Sequence, residues 1–346
     1  MRNLIGGKMT VETMHTMQPA TVARVGTKLP DHEDDSERIT LGILTLFDKL
    51  RSLETLEPDP INGRLFNQLF DLVTMSKTTT SQEQQIMDDP RIQALMPDLW
   101  QIWGDAEYLL ELDFARKVIS GSPSMLTCRQ LWETFPYLDQ YRQLARMETN
   151  TLDTALGEKC LPPVQKIAFL GSGPTPFSAL CFRERLGPDV EIINIDRSVE
   201  AISHGQGVAN ALGEKNMSFV QAEITTGMVT PASSDDEGGL SAPPSEGVSK
   251  PNLRDCDLVH FAALIGETEK DKRDLLVAVA KSMRPGALIM LRSTDSLRQI
   301  LYPKMDVDCW EVLSVVTPVL ATRYFGGSTS LTTIVVSVDG AKGGCI

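Results

Sequence analysis

A chain of 346 residues with 42% hydrophobic content can bury a large core, enough for one large domain or two of ordinary size. Its net charge of −13 and pI near 4.9 argue against a nucleic-acid partner, because sequence-independent affinity for a phosphate backbone needs clustered Lys and Arg. No run approaches the roughly 18–20 apolar residues that span a bilayer and no signal-peptide core opens the chain, so the expectation is a soluble cytoplasmic protein with no membrane partner, compatible with a homo-oligomer.

Residues 1–36 are polar, show no sustained period and end in the acidic cluster DHEDDSE, which predicts a disordered or loosely attached arm. From Ile39 onward apolar residues recur at helical spacing (Ile39, Ile43, Leu44, Leu46, Phe47, Leu50), break at Pro58-Asp59-Pro60, and resume at Leu65, Phe66, Leu69, Phe70, Leu72 and Val73. Further helical patterns cover 91–119 and 127–149, so residues 37–158 read as an all-helical domain ending near the linker Lys159–Pro163. Beyond it the texture changes. Short apolar strands are predicted at 165–171, 190–196, 217–222, 257–264, 287–293, 310–317 and 332–338, with helices at 175–186, 198–212 and 269–283. Strands alternating with crossover helices imply an α/β domain over 159–346 with a mostly parallel, doubly wound sheet, and the last two strands, with no helix between them, could close it as an antiparallel pair. The Ser-, Gly-, Pro- and acid-rich stretch 225–252 reads as a flexible acidic surface insertion.

The six cysteines show no close pairing and the four histidines no ligand spacing, so no metal site is expected. Within "KIAFLGSGPTPFSALCF", Gly171, Ser172 and Gly173 follow a buried strand as a nucleotide-binding turn would, but Pro176, followed by Phe177, stands where a dinucleotide fingerprint has its third glycine. Asp196 closes the next strand, twenty-three residues after Gly173, where a carboxylate can accept from both ribose hydroxyls. The turn has no lysine for a triphosphate and no third glycine for a pyrophosphate. An adenosyl ligand without phosphate, S-adenosylmethionine, fits better, with its amino-carboxylate near the turn, its ribose at Asp196 and its adenine near Ala222 and Glu223. Glu223 reads equally well as a solvated loop carboxylate. Ala262 and Ala263 are small residues at the carboxyl edge of the fourth strand, where ligands bind in open α/β sheets. His260 reads as a packed strand histidine, and Arg292 as either a salt-bridge partner or a carboxylate binder. In "DAEYLLELDF" Glu107 and Glu111 share a helix face, where partial burial could raise a carboxyl pKa to that of a useful base. "FPYLDQY" gathers Phe135, Pro136, Tyr137 and Tyr141 in a chain that is only 6% aromatic.

Together "LEPDPINGRLFNQLFDLV", "DAEYLLE", "FPYLDQYRQLARMET", "KIAFLGSGPTPFS", "DLVHFAALIGETEKDK" and "ALIMLRSTDSLRQILYP", in this order over about 40–340, resemble the nicotianamine synthase family. The resemblance implies a class I S-adenosylmethionine-dependent methyltransferase-like fold with an N-terminal helical domain. It also implies a small-molecule reaction other than methylation, namely transfer of 3-amino-3-carboxypropyl groups from S-adenosylmethionine to an amine. Three units would condense into nicotianamine, a metal chelator, with release of 5′-methylthioadenosine. Carried over residue by residue, Glu111 becomes the general base or amine anchor and Tyr141 orients the amine, with Tyr137 beside it. Glu107, Arg292 and Tyr302 face the acceptor, and Gly171, Ser172, Gly173, Asp196, Ala222, Glu223 and Ala262 hold the donor. A small-molecule methyltransferase, or a non-catalytic adenosyl-binding partner protein, is the alternative reading. The long arm, the acidic insertion and the spacing between Glu111 and Tyr141 depart from the plant pattern.

Overall fold

The computed structural model describes residues 35–121, 126–223, 251–266, 268–323 and 331–340. The arm and the acidic insertion expected from the sequence lie almost wholly outside these residues. The helical run begins earlier than expected, at Asp35, and Ser36 is already buried. The described residues from Asp35 onward form one compact unit.

Four helices open the fold: α1 (Asp35–Arg51), α2 (Pro60–Met75), α3 (Thr80–Met87) and α4 (Pro90–Ser120). Local chemistry sets their ends. Asp59 caps α2 by accepting from the Ile61 and Asn62 N–H groups, and Asp89 caps α4 from Arg91, each just before a proline at the first helical position. A reciprocal capping box between Thr79 and Gln82 starts α3, a helix too short and polar to show a period. The helical stretch expected over 127–149 is in fact two helices, α5 (Cys128–Trp132) and α6 (Leu138–Glu158), with the break at Phe135-Pro136. Proline disfavours helical backbone at the residue before it, and so splits the run.

The second half builds a seven-stranded sheet in the order β3-β2-β1-β4-β5-β7-β6. The strands are β1 (Lys166–Leu170), β2 (Glu191–Asp196), β3 (Met217–Gln221), β4 (Leu258–Phe261), β5 (Leu288–Thr294), β6 (Val316–Arg323) and β7 (Leu331–Val338). The first five pair in parallel, while β7 runs antiparallel to both β5 and β6. This is the α/β methyltransferase-like sheet with an antiparallel closing pair. The strand expected at 310–317 is displaced: Trp310–Leu313 form a short helix, α10, and β6 starts at Val316. "WEVLSVV" alternates like a strand, yet only Val312 of the helical turn is buried and Trp310 is exposed.

Helices α7 (Phe177–Leu186), α8 (Val199–Leu212) and α9 (Glu269–Ser282) complete the crossovers. One face of the sheet, carrying Ile167, Phe169, Ile192, Leu258 and Met290, packs with residues of α4, α6 and α7. The opposite face, carrying Ala168, Leu170, Val259, Ile289 and Leu291, packs against Leu276 and Val279 of α9. A third cluster joins α1–α4 to Leu297, Ile300, Leu301 and Tyr302 after β5, which fixes the first helices over the carboxyl edge of the sheet.

Candidate active site

The carboxyl ends of β1, β2 and β4 open at the same edge, and the loops that leave them meet α4. After β1, Gly171 and Gly173 both adopt left-handed backbone, φ +69° and +68°, which residues with a β-carbon rarely enter. The Gly171 and Ser172 N–H groups donate to the Ile195 carbonyl at 2.9 and 3.2 Å, pinning the turn to the end of β2. Asp196 accepts from the Gly173 N–H at 2.9 Å on one carboxylate oxygen and from the Ser198 N–H at 2.9 Å on the other. Its first task is thus to hold the turn, and each oxygen keeps a further acceptor position for a ligand. Ala262 lies across the turn: a β-carbon added to Gly171 would sit 3.4 Å from that of Ala262. Ala222 is buried beside β2, its N–H bonded to the Asp196 carbonyl, whereas Glu223 is exposed. The Ser172 hydroxyl is buried without a hydrogen-bond partner.

Glu111 on α4 points at this turn. A β-carbon on Gly173 would fall 2.6 Å from Glu111 Oε2, so glycine is needed both for its backbone and for the carboxylate beside it. Thr175 ties the turn's exit to the same helix, its hydroxyl donating to the Glu111 carbonyl at 2.8 Å. Tyr141 donates to Glu111 Oε1 at 2.9 Å. Glu111 keeps some accessible surface, yet protein atoms crowd it; burial pushes its carboxyl up to about 8, against the Tyr141 hydrogen bond and with help from the nearby charges of Glu107 and Asp196. Burial and the Glu111 charge likewise push the Tyr141 phenol well above its usual range. The resulting group is a carboxyl raised to about 8 beside the glycine turn.

Phe177, just after the third-glycine place held by Pro176, has a specific use. Its ring stacks on Tyr141 at 4.7 Å, on Phe135 at 4.1 Å and on Trp132 at 4.8 Å, so the residue that opens α7 also orients the tyrosine that bonds Glu111. One helical turn before Glu111, Glu107 accepts from the Trp103 indole N–H at 2.8 Å and from the Tyr302 hydroxyl, and burial raises its pKa. Tyr137 donates instead to Asn67 of α2 at 2.9 Å.

Arg292 sits otherwise than as an open substrate cation. It is buried and forks onto Glu148 of α6, Nε to Oε1 at 2.7 Å and Nη2 to Oε2 at 2.8 Å, and His260 Nε2 lies 3.1 Å from the same Oε1. Burial alone would raise the Glu148 carboxyl, but Arg292 and then His260 outweigh it and hold it at about 2, while burial lowers the pKa of His260 despite Glu148. Sequence reading missed Glu148 as the centre of this group. Its one signal was position, since Glu148 falls on the apolar face of α6 with Leu144, Thr151, Leu152 and Ala155. Among the described residues no group of three or more His, Cys, Asp or Glu side chains could hold a metal.

One prediction arises here. Gly173→Ala should destabilise the fold by at least about 1–2 kcal/mol, because left-handed backbone costs a β-carbon residue about that much and the added methyl collides with Glu111. A lower midpoint in chemical denaturation checks it.

The family model described as nicotianamine synthase protein matches residues 32–231 and 246–322. Nicotianamine synthase of Solanum lycopersicum is 30% identical over 289 residues, covering 82% of this chain and 80% of its own. Nicotianamine synthase 2 of Arabidopsis thaliana is 27% identical over 306 residues, covering 85% and 86%. Among solved structures, MtNAS in complex with MTA and tNA superposes with a TM-score of 0.66 over 89% of this chain and 100% of that one. A mutant of MtNAS in complex with S-adenosylmethionine gives 0.65 over 87% and 98%. At 14% identity these two structures show the fold. With the family model covering most of the chain in order, this protein belongs to the nicotianamine synthase family.

Proposed function

We propose that this chain is a nicotianamine synthase, which transfers 3-amino-3-carboxypropyl groups from S-adenosylmethionine to an amine and joins three units into nicotianamine. The observation that carries the reading is the approach of Glu111 to Gly173: a carboxyl that titrates near 8 stands against the turn that receives the methionine end of the donor. A methyl transferase needs no base at that end, whereas attack on the carbon beside the sulfonium places the nucleophile there.

In this reading Gly171 and Gly173 leave room for the donor, the unpartnered Ser172 hydroxyl supplies a polar contact, and the remaining acceptor positions of Asp196 take the ribose hydroxyls. Glu111 removes the proton from the acceptor ammonium, Tyr141 holds Glu111 in place through its hydrogen bond, and the freed lone pair forms the new C–N bond. The C–S bond breaks with its electron pair going to sulfur, and 5′-methylthioadenosine leaves. Glu107 and Tyr302, with Tyr137, form the wall that receives the growing product, and α1–α6 serve as its acceptor-side domain. Arg292 acts from behind this wall as a buried positive charge, since its guanidinium is engaged by Glu148. The product, carrying several amines and carboxylates, would be the metal chelator. Cytoplasmic residence is supported by the five free cysteines of the described residues, which suit a reducing compartment; no helix of the described residues is long and apolar enough to cross a membrane.

The test is to incubate the purified chain with S-adenosylmethionine as sole substrate. Release of 5′-methylthioadenosine is expected. S-adenosylhomocysteine in its place would contradict the reading in favour of a methyltransferase.

A further inference from the structure

Lys272, in the first turn of α9, is 1% exposed, which is rare for a lysine. Its Nζ donates to two backbone carbonyls, Ala263 at 2.5 Å and Pro303 at 2.8 Å. These carbonyls belong to different sides of the site. Ala263 follows Ala262, which packs across the glycine turn, and Pro303 follows Tyr302, whose hydroxyl donates to Glu107. Ala263 and Leu264 also pack against the cluster that contains Trp103 and Tyr302. The loop is wrapped around the lysine stem: Gly266 has φ +81°, and a β-carbon there would lie 2.9 Å from Lys272 Cγ and 3.0 Å from its backbone nitrogen.

We propose that Lys272 is a positioning residue that ties the donor-side loop after β4 to the acceptor-side segment at Tyr302, so that both keep a fixed relation to the reacting atoms. The proposal rests on the reading of Tyr302 and Ala262 as acceptor and donor walls. Two features favour a positioning role over packing. A buried ammonium is costly to desolvate, and an apolar side chain of similar length would fill the same space without that cost. Both hydrogen bonds, moreover, go to carbonyls that no repeating secondary structure satisfies, from segments some forty residues apart in sequence. Burial pushes the Lys272 pKa down to about 7, and the neutral amine still has two N–H donors for the two carbonyls, so the tie survives loss of the proton.

The experiment compares the full chain with Lys272→Met, Tyr302→Phe and the double variant. Turnover of Lys272→Met should fall at least about tenfold with the dissociation constant for S-adenosylmethionine within about threefold, and the double variant should be no slower than the slower single variant, as coupled residues behave. Hydrogen exchange should quicken in both 262–266 and 301–305. Additive losses, unchanged turnover, or faster exchange confined to α9 would overturn the proposal. Should Lys272→Met fail to fold, Gly266→Ala, which pushes the loop off the lysine stem, goes through the same cycle and is judged by the same outcomes. A wild-type chain with no turnover would defeat the functional reading instead, and the exchange measurement alone would then decide whether the tie exists.

Discussion

Glu111→Gln should lower turnover by about 10²–10⁴-fold while leaving affinity for S-adenosylmethionine within about threefold, because the amide keeps the shape of the side chain and loses only the capacity to take a proton. The amide can still accept from Tyr141, so the local packing of α4 against the glycine turn is retained. Loss of donor affinity in step with turnover would remove the base assignment and make Glu111 a binding residue. The pH profile gives a second readout of the same group. With its carboxyl pushed up to about 8, Glu111 is protonated and idle at lower pH, so kcat/KM should rise through that region, and this limb should vanish in the variant. The linkage to stability has the opposite sense. A carboxyl whose pKa is raised by folding stabilises the fold fully below its unfolded value of about 4.3, and that contribution is lost as pH rises through 8. Activity and stability should therefore move in opposite directions across this interval, as expected of a base kept in an unfavourable environment.

Glu148→Ala should destabilise the fold by about 3–5 kcal/mol, the range for removing one member of a buried ion pair, measured as a lower midpoint in chemical denaturation. The cause is what remains behind. Arg292 is 6% exposed and would keep its charge with no carboxylate opposite, and His260, 1% exposed, would lose the acceptor of its ring nitrogen. The folded Glu148 carboxyl is held at about 2, below the unfolded value, so its stabilisation is present above about 4.3 and is lost as pH falls through 2. The variant should accordingly lose part of the wild-type dependence of stability on acid. A wild-type midpoint in Glu148→Ala would show that Arg292 finds another partner or stays solvated.

The two groups also show which parts of the molecule were legible from sequence. The strand–turn–helix at 166–186, Asp196 and the acidic face of α4 carry local signals: left-handed glycines after an apolar strand, an acid at a strand end, and glutamates four residues apart. The antiparallel closing pair was legible because no helical pattern separates its strands. Pro176 holds the place of the missing third glycine, and the next residue, Phe177, is the ring on which Tyr141 stacks, a use that depends on α6 lying over α7. Glu148 and Lys272 were not legible as functional parts, because their partners are distant in the chain: Arg292 is 144 residues from Glu148, and Pro303 is 31 from Lys272. Local pattern likewise misplaced the start of β6, where "WEVLSVV" alternates as a strand would, and passed over α3, whose start is set by one reciprocal cap. Arg292 was open between two readings, and in the structure its guanidinium is engaged by Glu148, a partner no local pattern announces.

In the proposed reaction the carbon attacked is the one beside the sulfonium on the amino acid side, and not the methyl carbon. The most direct test follows two forms of S-adenosylmethionine, one labelled in the methyl group and one in the aminocarboxypropyl chain, through mass spectra of both products. The methyl label should remain entirely in 5′-methylthioadenosine, and the chain label should appear in every unit of a three-unit product. Methyl label in the acceptor product, with S-adenosylhomocysteine beside it, would contradict this reaction.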